Sequence, residues 1–176
     1  MNLKIISEIK SKLKGILKDK DILDIILFGS MIKGKSTHKD IDIAIITKNP
    51  EKFKNIEGFH VSLLSPEDFF VNPPSIINAL FREGYSIKKE MSFAETYKFE
   101  NKCLFKYDLT TLKPSNKVKI VNVLRGKNQE IGMVKERGGK WLANQIFVSP
   151  IENDYIFEQF FLNFKVKFQK LYILIH

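Results

Sequence analysis

Ile26-Leu27-Phe28-Gly29-Ser30-Met31-Ile32-Lys33-Gly34, followed shortly by Asp40-Ile41-Asp42-Ile43-Ala44-Ile45-Ile46, is the stretch around which this sequence is organised. An apolar run ends in Gly-Ser, a polar loop follows, and a second apolar run opens on two carboxylates. Asp40 and Asp42 lie two residues apart at the head of a β-branched run, so on a strand their side chains leave from one face. Two carboxylates on one face repel unless a positive charge lies between them. A divalent cation is the usual answer, and Mg²⁺ is commonly held by one or two carboxylates together with substrate phosphates. Gly29 lets the backbone approach a ligand closely, and Ser30 offers a hydroxyl where a strand gives way to a helix with free N–H groups. Such a turn suits phosphate oxygens.

With Gly34 as the second glycine, Gly29, Ser30, Gly34, Asp40 and Asp42 stand in an order and spacing that resembles the nucleotidyltransferase superfamily of DNA polymerase β, especially its small single-chain members. The resemblance covers the N-terminal half only. It implies that Gly29 and Ser30 hold the triphosphate tail of an NTP and that Asp40 and Asp42 are catalytic residues holding Mg²⁺ (or Mn²⁺). Lys33 and Lys35 in the loop are neighbours for the phosphates, although loops are ordinarily polar. One departure is the residue before Asp40, often serine in the family and Lys39 here. A lone Gly-Ser or a lone Asp-x-Asp would mark only a turn and a strand start; their joint placement between two apolar runs is what points to the fold.

In the family a third carboxylate usually comes from the next core strand. Here that strand, Phe59-His60-Val61-Ser62-Leu63-Leu64, contains no acid. His60 and Ser62 share a face, so one of them takes the acidic position. Glu57, Glu67 and Asp68 are near in sequence but outside the apolar run.

The 176 residues are 44% apolar and 12% aromatic, which excludes a disordered chain and allows one sizeable core or two small ones. No apolar run reaches the ~18 residues of a membrane span, and Met1-Asn2-Leu3-Lys4 leads into a charged amphipathic segment rather than a signal peptide. The expectation is a cytoplasmic protein with no membrane partner. A single cysteine, Cys103, excludes an intramolecular disulfide or a cysteine zinc cage, and reads as a buried strand residue. His38, His60 and His176 have no paired spacing for zinc, and no Ser/His/Asp or Cys/His constellation is readable.

Of the net charge of +9, residues 1–97 carry +2 and residues 98–176 carry +7. A basic second half fits a nucleic-acid-facing surface, and equally a lysine-rich solvated face. Arg125-Gly126-Lys127 and Arg137-Gly138-Gly139-Lys140, the latter beside Trp141, are possible nucleic-acid contacts through Arg125, Lys127, Arg137 and Lys140. The other reading of the same residues is a pair of helix C-terminal turns, where glycine and flanking cations are expected anyway.

Periodicity predicts an amphipathic helix over residues 3–18, a central strand at 22–28, and a short helical turn from Met31 to Gly34. Strands follow at 40–46 and 59–64, then a helix opening at Ser65-Pro66 and a second one capped by Ser75 and ended by Gly84. The pattern loosens over 88–98. Beyond it come a strand at 103–109, a helix from Pro114 closed by Gly126, a short helix ending at Arg137, an extended stretch at 141–148, a helix at 152–163 with Phe157, Phe160 and Phe161 inward, and a strand at 166–175.

The expected fold is α/β (α+β), a polymerase-β-like core with a mixed sheet and flanking helices over residues 1–90. A smaller basic α+β module of unrecognised family follows at 98–176. The implied function is Mg²⁺-dependent transfer of a nucleoside monophosphate from an NTP, such as ATP, to a hydroxyl. Members of that superfamily modify nucleic-acid ends, antibiotics and proteins, including toxin partners in two-component modules, so the acceptor is open among RNA, DNA and protein. The alternative is a fold that has lost catalysis and serves as a nucleic-acid- or protein-binding module.

Overall fold

The computed structural model describes residues 3–29 and 41–176 and divides the chain into two compact units, residues 1–99 and 100–176. Ser30, Lys33, Gly34, Asp40 and the helical turn expected at Met31–Gly34 lie outside the described residues.

In the first unit, Ile6, Ile9 and Leu13 recur at three- and four-residue spacing and are all buried, as one face of an amphipathic helix must be. The single helix expected over 3–18 is instead α1 (Leu3–Lys12) and α2 (Lys14–Leu17), parted at Leu13. The break is slight, because Leu17 N–H still donates to Leu13 O at 2.9 Å. Gly15, a poor helix former, sits in the second piece.

β1 (Ile22–Leu27), β2 (Ile41–Thr47), β3 (Phe59–Leu64), β4 (Tyr85–Ser86) and β5 (Met91–Ser92) form a five-stranded sheet in the order β3-β2-β1-β4-β5. β1 and β2 are antiparallel while β2 and β3 are parallel, so the sheet is mixed. Ile25, Leu27, Ile43 and Ile45 face Ile9 and Leu13 on one side. Ile26, Ala44, Ile46 and Leu64 face Leu80 and Phe93 on the other. Burial on both faces explains why β1 and β2 read as continuous apolar runs rather than alternating ones, and each fully buried Ile or Leu is worth about 1.5–3 kcal/mol.

The helix expected at Ser65-Pro66 is only one 3₁₀ turn, Pro66–Phe69. Its capping box is intact: Ser65 N–H donates to Asp68 Oδ2 at 2.6 Å and Asp68 N–H to Ser65 Oγ at 3.3 Å. The start signal is real, but Pro73 and Pro74 a few residues on block continuation. Ser75 makes no capping bond and itself has helical dihedrals at the head of α3 (Ile76–Glu83). Gly84 leaves that helix in extended dihedrals (φ −72°, ψ 144°) rather than a left-handed turn, and only glycine fits there, since a Cβ would run into the Leu80 carbonyl and lie 2.7 Å from Ile26 Cγ2. The stretch that reads as loosened contains β5 and the core residue Phe93, whose ring lies 5.1 Å from Phe81 and 5.2 Å from Tyr97.

The second unit is an antiparallel four-stranded sheet in the order β7-β8-β6-β9, built from β6 (Glu100–Asp108), β7 (Lys140–Ala143), β8 (Ile146–Pro150) and β9 (Lys167–Ile175). Its helices are α4 (Pro114–Arg125), α5 (Met133–Glu136) and α6 (Asp154–Asn163). The extended stretch expected at 141–148 is a hairpin, turning at Asn144-Gln145 with Gln145 at φ 62°. Phe105, Phe147, Phe157 and Phe161 are fully buried, whereas Phe160, also expected inward, is only partly so.

Candidate active site

The β1 strand delivers Phe28 and Gly29 to the head of β2, where Phe28 N–H donates to Asp42 O at 3.2 Å. Gly29 has φ +84°, which side-chain-bearing residues rarely adopt, and a Cβ there would stand 2.6 Å from Asp42 Oδ2. The missing side chain is therefore the space the Asp42 carboxylate uses. Parallel pairing sets Asp42 against His60 and Ala44 against Ser62. His60 Nδ1 lies 3.0 Å from Asp42 Oδ1, and with the proton on Nδ1 the ring donates to the carboxylate. Of the two residues competing for the position beside Asp42, the register selects His60.

Asp68 is occupied by the Ser65 capping box, and Glu57 and Glu67 are exposed outside β3. Among the described residues no group of three or more His, Cys, Asp or Glu could hold a metal. Asp42 and His60 nevertheless supply a carboxylate oxygen and an imidazole nitrogen side by side at a strand end, a donor set that fits a divalent cation. Asp40, expected to share this face from two residues earlier, lies outside the described residues.

Residues 11–67 match the family described as Polymerase beta, Nucleotidyltransferase. That span takes in β1, Gly29, β2, Asp42 and the whole of β3 with His60, and it supports a nucleotidyltransferase role in general. The mixed sheet with flanking helices agrees with a polymerase-β-like fold. No curated protein matches the chain. A solved structure described as the crystal structure of the toxin-antitoxin with AMP-PNP is similar at 19% identity over 47% of this chain and 71% of that chain. Its TM-score is 0.30, a level at which the likeness supports no inference about this chain. No helix among the described residues is long and apolar enough to cross a membrane.

Sequence reasoning passed over Asp24. It is the acid inside the apolar run of β1, on the Ile26 face by ordinary strand alternation, and it is only 4% exposed. Ser86 Oγ–H donates to its carboxylate at 2.7 Å and Ile25 N–H at 2.8 Å, and it lines a cavity of about 140 Å³ with Phe69, Phe93 and Tyr97. The signal was a lone carboxylate within Ile22-Leu23-Asp24-Ile25-Ile26. Asp24 pairs with Ile46, four residues along β2 from Asp42, so at ~3.3 Å per residue the two carboxylates sit at opposite ends of the face.

Burial raises the Asp24 pKa above its ordinary value of 3.8, with the Ser86 and Ile25 hydrogen bonds pulling the other way. The folded chain therefore binds this proton more readily than the unfolded one. Stability is lost as pH rises from 3.8 through the raised folded value. Asp24→Asn is expected to raise the melting temperature at pH 7, with the gain shrinking as pH falls toward 3.8 and absent below it. Equal melting curves for both proteins across that range would mean the burial carries no charge penalty.

In the second unit, Gly126 is the C-terminal cap of α4, donating to Asn122 O at 2.8 Å. Gly138, at φ +70°, and Gly139 close α5 by donating to Lys135 O at 3.0 Å and Val134 O at 2.7 Å, the paired bonds of a Schellman turn. Both glycine clusters are thus helix-terminal turns. Arg125, Lys127, Arg137 and Lys140 are exposed around them. The Arg125 guanidinium lies 3.9 Å from the Trp141 ring centroid, and Phe147 is 5.3 Å from the same ring. Trp141 is committed to these neighbours rather than offered as a stacking platform.

Proposed function

We propose that residues 1–99 form a divalent-metal-dependent nucleotidyltransferase that moves a nucleoside monophosphate from an NTP to a hydroxyl acceptor. The observation that carries this reading is the Asp42 carboxylate, seated against the side-chain-free face of Gly29 and 3.0 Å from His60, within the span that matches the family. Asp40 and Asp42 hold Mg²⁺ or Mn²⁺. When bound, the metal neutralises the triphosphate and polarises the reacting phosphoryl group. The Gly29 backbone and the Ser30 hydroxyl hold the phosphate tail, with Lys33 adding positive charge. The acceptor oxygen bonds to the α-phosphorus, the bond from that phosphorus to the oxygen bridging to the β-phosphate breaks, pyrophosphate leaves, and the hydroxyl proton passes to solvent.

Incubation of the full chain with NTPs labelled at the α-phosphate, against total RNA, DNA and co-purifying protein, tests this reading. Label should enter one acceptor class with wild type and none with an Asp40→Asn/Asp42→Asn variant. A carboxylate base typically contributes 10²–10⁴-fold in rate, and β3 brings His60 rather than an acid to Asp42. The wild type should therefore be slow, and His60→Asp should raise Mg²⁺-dependent turnover by at least about tenfold. That same imidazole favours the second reading, a binding module that has lost catalysis. Metal-dependent NTP binding with no label transfer to any acceptor class would establish it.

Arg125, Lys127, Arg137 and Lys140 are proposed to contact the phosphates of a nucleic-acid partner, the reading supported by their exposure in the basic unit. Four neutralised phosphates on duplex DNA predict a log–log salt slope of about −3.6. Replacing all four by alanine should flatten it by the same amount. Binding undetectable at low salt, or unchanged in that variant, would make the patch a solvated surface only.

A further inference from the structure

The His60 side chain is 72% accessible and still reaches the Asp42 carboxylate across the strand pair. Its Nδ1 is 3.0 Å from Asp42 Oδ1. Two donors bound cis to one octahedral metal, each about 2.1 Å from it, lie about 3.0 Å from one another. The Asp42 oxygen and the His60 nitrogen already have the separation of such a pair, and with the ring proton on Nε2 instead of Nδ1 that nitrogen offers a lone pair to a metal in place of an N–H to the carboxylate. The pairing register enforces this, since His60 is the residue of β3 directly opposite Asp42.

We infer that His60 is a ligand of the divalent metal held at Asp42, supplying an imidazole nitrogen where β3 has no carboxylate, and that this donor makes the site favour a first-row transition dication over Mg²⁺. The inference rests on the reading of Asp42 as a metal-holding residue and goes beyond it in naming a further donor beside Asp42 and the metal class. Mg²⁺ is a hard ion that takes oxygen ligands and gives up water reluctantly. Imidazole binds it poorly, while nitrogen-containing sites take first-row metals in rising order from Mn²⁺ toward Cu²⁺. One nitrogen in an otherwise oxygen set is enough to tilt the choice. No other described acid offers to restore a hard site, with Asp68 bonded to Ser65 and Glu57 and Glu67 exposed outside β3.

The test uses Mn²⁺ as a paramagnetic probe on the full chain without nucleotide. Pulsed electron spin-echo spectra of bound Mn²⁺ should show ¹⁴N modulation, and His60→Gln should abolish it while the fold, followed by circular dichroism, is kept. Mn²⁺ should bind at least about tenfold more weakly to His60→Gln, since even residues that only orient metal ligands are worth 10–100-fold. In His60→Asp the Mg²⁺ concentration that displaces half of the Mn²⁺ should fall by a similar factor. Mn²⁺ that is lost with Asp42→Asn yet shows no ¹⁴N modulation in wild type, or modulation unchanged in His60→Gln, overturns the role of His60 and leaves the Asp42 site standing. Mn²⁺ that does not bind, or binds equally to Asp42→Asn, overturns both.

Discussion

The Asp40→Asn/Asp42→Asn double variant is expected to lose metal-dependent NTP binding by at least about a hundredfold while keeping its fold. An NTP tail and two carboxylates are all anionic, and at an effective dielectric of 20 each pair of unit charges 4 Å apart costs about 4 kcal/mol. Only a cation between them makes the site attractive, so removing the carboxylates removes the metal and with it the metal's contribution to NTP affinity. The fold should survive because the Asp42 side chain is about one-third exposed and the strand is held through its backbone, with Phe28 N–H on Asp42 O. Asparagine preserves the volume beside Gly29. Calorimetric titration of NTP with and without Mg²⁺ or Mn²⁺, alongside a thermal melt, measures both halves of the statement. Equal NTP affinity for wild type and variant with metal present would sink the site assignment.

Phe147→Ala is expected to destabilise residues 100–176 by about 3–5 kcal/mol, the usual cost of emptying a buried aromatic site. Phe147 is fully buried and stacks on Phe105 at 5.2 Å and 19°, with Phe157 at 4.8 Å and Trp141 at 5.3 Å. The cavity is bounded by rings on several strands and on α6, which cannot all move in to fill it. A domain of this size is stable by only some 0.05–0.15 kcal/mol per residue, so one such cavity removes a large part of the total. The first unit has its own cores, around Ile25 and Ile43 on one sheet face and Ile26 and Phe93 on the other. We therefore propose that the variant unfolds in two steps and keeps metal-dependent NTP binding after the first. A single transition at which NTP binding is also lost would show that the two units do not fold separately.

Much of the secondary structure is legible locally. Pro114 and Gly126 bracket α4 because proline suits a first helical turn and glycine a helix end. β1, β2 and β3 stand out as short apolar runs between polar turns. The elements that escape a local reading owe their existence to partners distant in sequence. β4 and β5 are two residues each, held by pairing to β1 and to one another. The hairpin at Asn144-Gln145 looks extended on both sides of a turn that no glycine or proline announces.

The amino-acid sequence by itself determined the order Gly29-Ser30 then Asp40-x-Asp42 between apolar runs, a β3 without an acid, and a basic second half, because residue identity, spacing and charge need no partner to be read. Only the tertiary structure decided between His60 and Ser62. The two are equivalent by alternation, and the choice between them depends on how β3 slides against β2, which the burial of Leu64 with Ala44 and Ile46 pins down. It likewise turned the isolated Asp24 into a buried carboxylate and the flexible Gly29 into the space for Asp42. Burial and close approach are properties of neighbours brought together from far along the chain.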